Sequence, residues 1–392
     1  MLYLTIAAYL AILSFHYDFG KTSTSNLKGL HRGLALLFLI LLSGLRYRLA
    51  PDTVAYMAQF KNDVLPLSDM SVERFSIERY QPLWVLINST CKIFDSFVML
   101  QITVAWIFNG CVFYFFRRAT TRFFTAILLF YLTCFFYFNM EIMRESMAVA
   151  MFLVAIIKYN DRRFFGFYSW LAAAALFHKF ALLLLITPFI LTRRIPTWLK
   201  VLASLSLIIW LGGLQNPLSY IESFGGALAD LDLKFYEVDS ELSLLGLIYN
   251  LLRIIPVILV MLWYRNRPLP SALLRREVIF PLCWAFVLII IVRILSIPFL
   301  DRVSNYFVFF VLCILVSALG DIVERQPLTA FRVPIVTSAS VIGLLFYVLP
   351  LMAPDPKLGD IPSYRRYFPY YSVFSMQTDS DREHVISIEA KE

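Results

Sequence analysis

The chain has 392 residues and a formal net charge of +8, with 60% hydrophobic and 16% charged residues. A soluble domain is roughly 45–50% apolar and about 25% charged, so this composition excludes an ordinary soluble protein and indicates a membrane protein. The positive charge does not indicate nucleic-acid binding, because the Lys and Arg residues lie in the turns between apolar runs.

Apolar runs recur from the first residue to about position 351 and predict an all-α polytopic membrane protein. The first run lacks the basic region and cleavage site of a removable signal peptide, so we expect it to stay as a helix. We predict one transmembrane domain, 1–351, followed by a short tail, 352–392. The transmembrane domain contains about twelve transmembrane helices, within a range of about 10–13. The predicted spans are 2–17, 33–47, 96–116, 123–139, 142–158, 164–177, 180–192, 197–212, 244–264, 278–297, 303–322 and 333–351.

Two segments do not fit a simple crossing. The apolar segment 81–94, "QPLWVLINSTCKIF", is too short to cross a bilayer and is interrupted by polar side chains. It therefore predicts a short re-entrant or interfacial helix. Residues 164–192 could form one long helix. Basic pairs at both ends instead favour two short helices that meet at His178 and Lys179. A single crossing there would move every later loop to the other side of the membrane.

The connecting loops alternate in charge. Every second loop is rich in Lys and Arg, and the positive-inside rule places those loops in the cytoplasm. The loops 48–95 and 213–243 then lie on the outer face, together with the tail and the amino terminus. The charge pattern therefore predicts one orientation of the chain across the membrane, with both termini outside.

Many charged residues that membrane orientation does not explain fall on this outer side. A charge at membrane depth costs roughly 2.5–3.5 kcal/mol on insertion scales, so such residues usually face a polar cavity and one another. We therefore expect one outward-facing polar cavity. The outer-side set comprises Arg46, Arg48, Asp52, Glu73, Arg74, Glu78, Arg79, Glu141, Arg144, Glu145, His178, Lys179, Arg293, Asp301 and Arg302.

The residue types in this set favour phosphate chemistry. Guanidinium groups present a planar fork of donors to phosphoryl oxygens and keep their charge at any working pH. A neighbouring Glu, Asp or His could remove a proton from a hydroxyl nucleophile. The combination suits transfer of a group away from a lipid-linked diphosphate. The five cysteines are scattered without metal-ligand spacing, so we expect buried thiols and no metal site.

Structural interpretations of the same residues remain open. Arg46 and Arg48 also fit a helix end with snorkelling side chains, and Arg144 and Glu145 could each pair with neighbours at the interface. Arg253, in the middle of a predicted helix, fits a contact between helices. None of these interpretations explains why the charges concentrate on the side that is poor in orienting charge.

Short motifs recur in a characteristic order along the chain. They are "GLRYRLAPDTVAYMAQF", "IERYQPLWVLINSTCKIF", "IMRESMAVAMFLVAIIKY", "LAAAALFHKFALLLL", "DRVSNYFVFF" and "FPYYSVF". In this order they resemble the EpsG-like branch of the Wzy-type polysaccharide polymerases. Those bacterial inner-membrane proteins join lipid-linked oligosaccharide repeat units outside the cytoplasmic membrane, in O-antigen, capsule or exopolysaccharide synthesis.

The resemblance implies a glycosyltransferase that needs neither metal nor cofactor. Its donor would be an undecaprenyl-diphosphate-linked glycan, and its acceptor a second lipid-linked repeat unit in the bilayer. The growing chain would pass to a sugar hydroxyl of the acceptor, with release of undecaprenyl diphosphate. Whether a chain-length regulator also binds stays open.

The residues that match the motifs, with the outer-side charges, give the expected site. Diphosphate binding is assigned to Arg46, Arg48, Arg144, Arg302, Arg293 and Lys179. The catalytic candidates are His178 or Glu145 as general base, with Asp52 or Glu78 as orienting partners. Tyr306 and Tyr370 are the candidates for contact with the glycan.

Two other functions use similar residues. A flippase of lipid-linked saccharide would also need intramembrane arginines, although many transporters show repeated halves that are not evident here. An O-antigen ligase would share the chemistry and differ in the acceptor. The sequence leaves open the sugars, the linkage and the choice of base.

Overall fold

The computed structural model describes residues 2–20, 27–69, 81–192, 244–269, 271–294, 300–326, 336–338, 341 and 361–389. Within these ranges the chain is helical and contains no strand, which confirms the all-α class. The predicted span 197–212, most of the span 333–351, the loop 213–243 and Glu78 lie outside the described residues.

Most of the regular helices follow the apolar runs, whereas the helices Pro51–Asn62 and Ser380–Glu389 are more polar. The regular helices are α1 (Leu2–Ser14), α2 (Leu27–Gly44), α3 (Pro51–Asn62), α4 (Pro82–Lys92), α5 (Phe97–Ala119), α6 (Phe123–Thr133), α7 (Met143–Asn160), α8 (Phe164–Phe177), α9 (Thr187–Leu191), α10 (Leu244–Trp263), α11 (Arg276–Ile294), α12 (Leu300–Ser304), α13 (Val308–Glu324) and α14 (Ser380–Glu389). Two π-helical turns cover Phe15–Phe19 and Tyr137–Glu141, and 3₁₀ segments cover Leu67–Asp69, Lys179–Ile186 and Ser363–Arg366.

Four of the described helices are long and apolar enough to cross a bilayer, namely Leu2–Phe19, Leu27–Gly44, Phe97–Ala119 and Gly246–Trp263. Shorter apolar helices cover Phe123–Thr133, Phe164–Phe177 and Lys179–Leu191. The protein is therefore a multi-pass membrane protein, and the total of about twelve crossings stays a prediction.

Helix α7 is the centre of the bundle. Nearly all of its side chains from Met143 to Ile157 are buried, and it packs against both α5 and α8. Aromatic rings fill the space beside it, with Phe309 5.3 Å from Phe138 and 5.6 Å from Phe130 between ring centroids. Such ring pairs contribute about 0.5–1.5 kcal/mol beyond the area that they bury. A central, well-packed α7 fixes the side chains of its first turn at one end of the bundle.

The described residues of the predicted cytoplasmic loops meet at one end of the bundle, which we call the basic end. Here the Leu273 amide donates to the Ala119 carbonyl at 2.8 Å, and the Arg275 amide donates to Asn160 Oδ1 at 2.9 Å. Arg122 also pairs with Glu324. The structure thus confirms which of these loops share an end, while the side of the membrane that this end faces stays a prediction.

The carboxy-terminal tail lies against the opposite end. The amide of Tyr47 donates to the Tyr371 carbonyl, and the amide of Val373 donates to the Leu45 carbonyl, each at 2.9 Å. The hydroxyl of Tyr3 donates to the carbonyl of Tyr367 at 2.7 Å. Both the beginning of α1 and the link after α2 therefore hold the tail.

Several helix boundaries differ from the prediction, and three of the differences lie at this opposite end. Helix α2 ends at Gly44 instead of 47, so Arg46 lies in the link that leads to Pro51 at the start of α3. The predicted helix 180–192 forms a 3₁₀ segment followed by one α-turn. The predicted helix 303–322 is interrupted between α12 and α13.

Candidate active site

His178 lies at a break in the chain. Helix α8 ends at Phe177, and His178 has an extended backbone with φ −151° and ψ 124°. This break confirms two helical segments in 164–192 instead of one long helix. The imidazole is buried with 3% exposure, and its Nδ1 lies 3.3 Å from the hydroxyl of Tyr306.

Glu145 lies in the first turn of α7 and is held by residues of α12 and of the break that follows α12. Its side chain is 1% exposed, and Arg302 Nη1 donates to its Oε2 at 3.1 Å. Asn305 Nδ2 donates to the other carboxylate oxygen at 2.6 Å. A buried carboxylate needs such partners, because desolvation of an unpaired charge is costly. The arginine itself keeps 30% of its side chain exposed, so Glu145 orients a guanidinium that can still meet a ligand.

Asp52 lies in the first turn of α3, directly after Pro51. The helix N-terminus favours a negative charge there. The half-buried carboxyl is close enough to Arg302, Arg144 and Arg366 for their charges to act on it. Burial is the largest effect and raises the pKa of Asp52 above its usual range, while the three arginines oppose that rise. Asp52 is therefore a stronger base than an ordinary carboxylate.

Tyr56 lies one turn after Asp52 on α3. Its hydroxyl is hydrogen-bonded at the backbone of Arg144, and its ring packs edge-on against Trp84 with centroids 5.3 Å apart. Burial raises the pKa of Tyr56 to about 12, against the opposing charge of Arg144. Tyr56 thus stays protonated at neutral pH and connects α3 with the start of α7.

Arg144 and Arg302 also influence His178. Burial lowers the pKa of His178 well below its usual range, and the positive charges of Arg144, Arg302 and Lys179 lower it further. The imidazole is therefore neutral at neutral pH. It adds no positive charge beneath the arginines.

These side chains form one group, which we call the arginine cluster. It comprises Asp52, Tyr56, Arg144, Glu145, His178, Arg302 and Tyr306. Its members come from α3, α7, α12 and the breaks beside α8 and α12. Asp52, Tyr56, Arg144 and Arg302 keep part of their surface exposed, whereas Glu145, His178 and Tyr306 are buried beneath them. The exposed layer combines two guanidinium forks with a carboxylate of raised pKa. Such a layer can bind an oxyanion and accept a proton beside it.

Arg46 is engaged outside the cluster. Its guanidinium donates to Thr53 Oγ1 from Nε at 3.2 Å and from Nη2 at 3.1 Å, and Nη1 donates to the Ser43 carbonyl. Thr53 in turn donates to the carbonyl of Met140 at 2.6 Å. With 1% exposure, Arg46 joins the end of α2 to α3 and to the π-helical turn.

The other predicted residues that the structure describes lie outside the cluster. Arg48 Nε donates to Glu383 Oε1 in the tail at 2.7 Å, and this contact raises the pKa of Arg48. The hydroxyl of Tyr370 donates to the Leu42 carbonyl at 3.1 Å. Arg293, at the end of α11, donates to Asn250 Oδ1 of α10 at 2.9 Å. The structure thus gathers Asp52, Arg144, Glu145, His178, Lys179, Arg302 and Tyr306, and it places Arg46, Arg48 and Tyr370 where the tail docks.

Three residues of the site were not predicted as site residues. Asn305 follows Arg302 by three positions, a spacing that puts both side chains on one helical face, so this signal was available. Tyr56 follows Asp52 by four positions, which places both on one helical face and is the same kind of signal. Arg366 has no local signal, because its position depends on how the tail docks on the bundle.

An apolar crevice lies at the carboxyl end of α8. It has a volume of about 370 Å³ and lies between α4, α5 and the end of α8. Leu86, Met99 and Phe177 are among its lining residues, and Phe177 directly precedes His178. The hydroxyls of Thr90 and Thr103 donate to backbone carbonyls of their own helices, which leaves the walls apolar.

Comparison with known protein families identifies the family of this chain. The sequence model of the EpsG family matches residues 30–372, which include every described member of the arginine cluster. No curated protein and no solved structure matches the chain significantly. The chain belongs to the EpsG family, and it is a membrane protein of polysaccharide biosynthesis.

Proposed function

We propose that this protein polymerises undecaprenyl-diphosphate-linked oligosaccharide repeat units at the outer face of the bacterial cytoplasmic membrane. The growing glycan moves from its lipid diphosphate to a sugar hydroxyl of an acceptor repeat unit. The observation that carries the proposal is that Arg144 and Arg302 converge on Asp52 at one end of the bundle. Membership of the EpsG family supports the same class of substrate.

The two arginines bind the diphosphate. During transfer, the bond between the anomeric carbon and the phosphate oxygen breaks, and its electron pair leaves with undecaprenyl diphosphate. Negative charge therefore grows on the leaving group, where preorganised cations in a site of low dielectric stabilise it most. Arg302 is already oriented by Glu145 and Asn305, so little reorganisation is needed when this charge develops.

Asp52 accepts the proton of the acceptor hydroxyl as the new glycosidic bond forms. It is the carboxylate of the cluster that keeps exposed surface, and its raised pKa suits a general base better than that of an ordinary carboxylate. Glu145 is occupied by Arg302 and Asn305 and acts as a positioning residue. His178, which is 3% exposed, supports Tyr306 from below.

The apolar crevice gives the lipid a place to bind. An undecaprenyl chain is an unbranched run of isoprene units and gains affinity roughly in proportion to the apolar area that it buries. One of its lining residues, Phe177, directly precedes His178 in the chain, so we place the lipid chain in the crevice and its diphosphate at the cluster.

The first test uses the native substrate without knowledge of its sugars. A strain from which the gene is deleted accumulates the lipid-linked repeat unit, which is extracted and given to the full-length protein in lipid nanodiscs. We expect a ladder of longer glycans from the unaltered protein. Arg144→Ala should lower the rate by about 10²–10³-fold, the effect expected when one donor to a developing charge is lost.

Arg118→Ala is the matched control. Arg118 lies at the basic end and pairs with Asp161 at 2.8 Å, so its loss should leave the ladder unchanged. If the unaltered protein fails to extend the repeat unit, the polymerase function is wrong. The deletion strain separates the rival functions: single repeat units on the final carrier indicate a polymerase, and their absence indicates a ligase or a flippase.

A further inference from the structure

The tail is joined to the bundle by backbone contacts as well as side chains. Besides the two amide contacts of Tyr47 and Val373, the amide of Ala50 donates to the Arg366 carbonyl at 3.0 Å. Ala50 immediately precedes the first turn of α3, which carries Asp52. This contact therefore fixes the backbone of Arg366 next to the start of α3.

The link that receives the tail is conformationally unusual. Arg48 has φ 49° and Ala50 has φ 66°, a region that residues with a side chain adopt only when their surroundings impose it. Both residues follow Arg46, whose backbone bridges that of Ser372. The backbone of the link is thus held in a strained form that matches the docked tail.

The side chain of Arg366 faces the cluster. Its Nη1 lies 3.9 Å from Glu141 Oε1, and its charge acts on Asp52 together with the charges of Arg144 and Arg302. The next residue, Tyr367, donates its hydroxyl to the same Glu141. Arg366 is thereby held on the bundle side of the tail, and 24% of its side chain remains exposed.

Arg365, its neighbour in sequence, has a different environment. Its guanidinium lies 3.6 Å from Asp379 and 3.3 Å from Asp381, both within the tail. Its side chain is 30% exposed, similar to that of Arg366. The two arginines therefore have comparable burial but different partners, Arg365 within the tail and Arg366 on the bundle.

We propose that the tail completes the substrate site and that Arg366 is its third diphosphate-binding arginine. The inference rests on the proposed function and adds to it a group supplied from outside the transmembrane helices. A diphosphate released from a sugar carries one more negative charge than the diester from which it came. A third cation would stabilise that additional charge.

The test measures the binding of two lipids to the full-length protein in nanodiscs. One is undecaprenyl diphosphate and the other is undecaprenyl monophosphate, which has the same lipid chain and one phosphate fewer. The readout is the ratio of the two affinities for each variant. A tail that is merely loosened would weaken both lipids alike, so each variant serves as its own reference even if its melting temperature falls.

Arg366→Met should reduce the preference for the diphosphate about tenfold, as expected for one lost charge-assisted contact. Arg366→Lys should restore part of that preference, because the positive charge returns. Arg365→Met should leave it unchanged. An unchanged ratio in Arg366→Met, or an equal fall in Arg365→Met, overturns the role of Arg366.

The same measurement distinguishes this failure from that of the proposed function. If the unaltered protein does not prefer the diphosphate, or if Arg144→Met and Arg302→Met leave the preference intact, the diphosphate site itself is wrong. If those two variants lose the preference and Arg366→Met keeps it, the site stands and the contribution of the tail is wrong.

Discussion

The two ends of the bundle use arginine in different ways. At the basic end, Arg122 donates to Ser271 Oγ at 2.9 Å, to the Asp18 carbonyl at 2.6 Å and to Glu324. Its guanidinium also lies 4.8 Å from the ring of Phe19, and the side chain is 7% exposed. Arg122 is thus surrounded by protein on all sides and fastens four parts of the chain together.

At the opposite end, Arg302 has a buried partner and an exposed face. Glu145 fixes its direction while 30% of the side chain remains exposed. The comparison shows what separates a structural arginine from one that can bind substrate. The donors of the structural Arg122 are distributed over several protein acceptors. Arg302 is oriented by the buried Glu145 and keeps exposed surface for a ligand.

The largest effect is expected at Asp52, the half-buried carboxylate of the cluster. Asp52→Asn should lower the rate of polymerisation by about 10²–10⁴-fold, because an amide cannot take the proton of the acceptor hydroxyl. In the unaltered protein, activity should fall as the pH is lowered through the raised pKa of Asp52, since the protonated carboxyl cannot act as a base. The measurement is the pH–rate profile of each variant.

His178→Asn provides the contrast for that profile. The pKa of His178 is lowered well below its usual range, so its protonation lies toward more acid pH. The acid limb should therefore persist in His178→Asn and disappear in Asp52→Asn. Loss of the limb in His178→Asn alone would reassign the general base to the imidazole.

A smaller effect is expected where Glu145 orients Arg302. Glu145→Gln keeps the shape of the side chain and removes its charge, so the guanidinium loses its fixed direction. Misplacement of a binding group by about 1 Å can cost about 10²-fold in rate. We expect a fall of that order with the acid limb unchanged, measured with the extracted repeat unit. A disappearance of the acid limb would instead make Glu145 the base.

At the basic end, a substitution should affect stability and leave catalysis intact. A Cβ atom added at Gly320 would overlap the guanidinium of Arg122. Gly320→Ala should therefore destabilise the protein by about 1–3 kcal/mol, as overpacking does, without changing the pH–rate profile. Thermal unfolding in nanodiscs measures the loss of stability. The polymerisation rate of the folded fraction, followed over pH, shows whether catalysis is unchanged. Normal stability with lost activity would break the contrast between the two ends.

The smallest effect is expected for Arg48. Its pair with Glu383 is partly exposed, with side-chain exposures of 22% and 33%, and such pairs contribute about 0–1 kcal/mol. Arg48→Ala should change the rate by less than about fivefold, in keeping with that small contribution. A loss as large as that of Arg144→Ala would instead place Arg48 in the diphosphate site.

Parts of this architecture could be predicted from the sequence. The bounds of α8 match the prediction at both ends, and α5 begins within one residue of it, because an apolar run between charged residues leaves few choices for a membrane helix. The grouping of Arg144, Glu145, His178 and Arg302 also follows from topology alone. Once loops alternate between sides, charges at matching helix ends must lie near one another.

Other parts depend on contacts that no local pattern records. The burial of Arg46 results from its contacts with Thr53 and with the carbonyl of Ser43 in the turn after α2. The interruption between α12 and α13 brings Asn305 to Glu145, whereas hydropathy favours an unbroken helix from 303. Arg366 is placed by backbone pairing between residues more than 300 positions apart, and hydrophobic periodicity carries no information about such pairing.

The contact between Tyr3 and Tyr367 spans 364 positions of the chain and has a consequence for biosynthesis. A ribosome delivers residues 361–389 after every described helix that contributes to the arginine cluster. During translation, the nascent protein can occupy the membrane with α1 and the link after α2 in place while their partners in the tail have not yet been made. On the proposed role of Arg366, the diphosphate site would be complete only when synthesis reaches these residues, so a product that lacks them would be inserted with a weaker preference for the diphosphate.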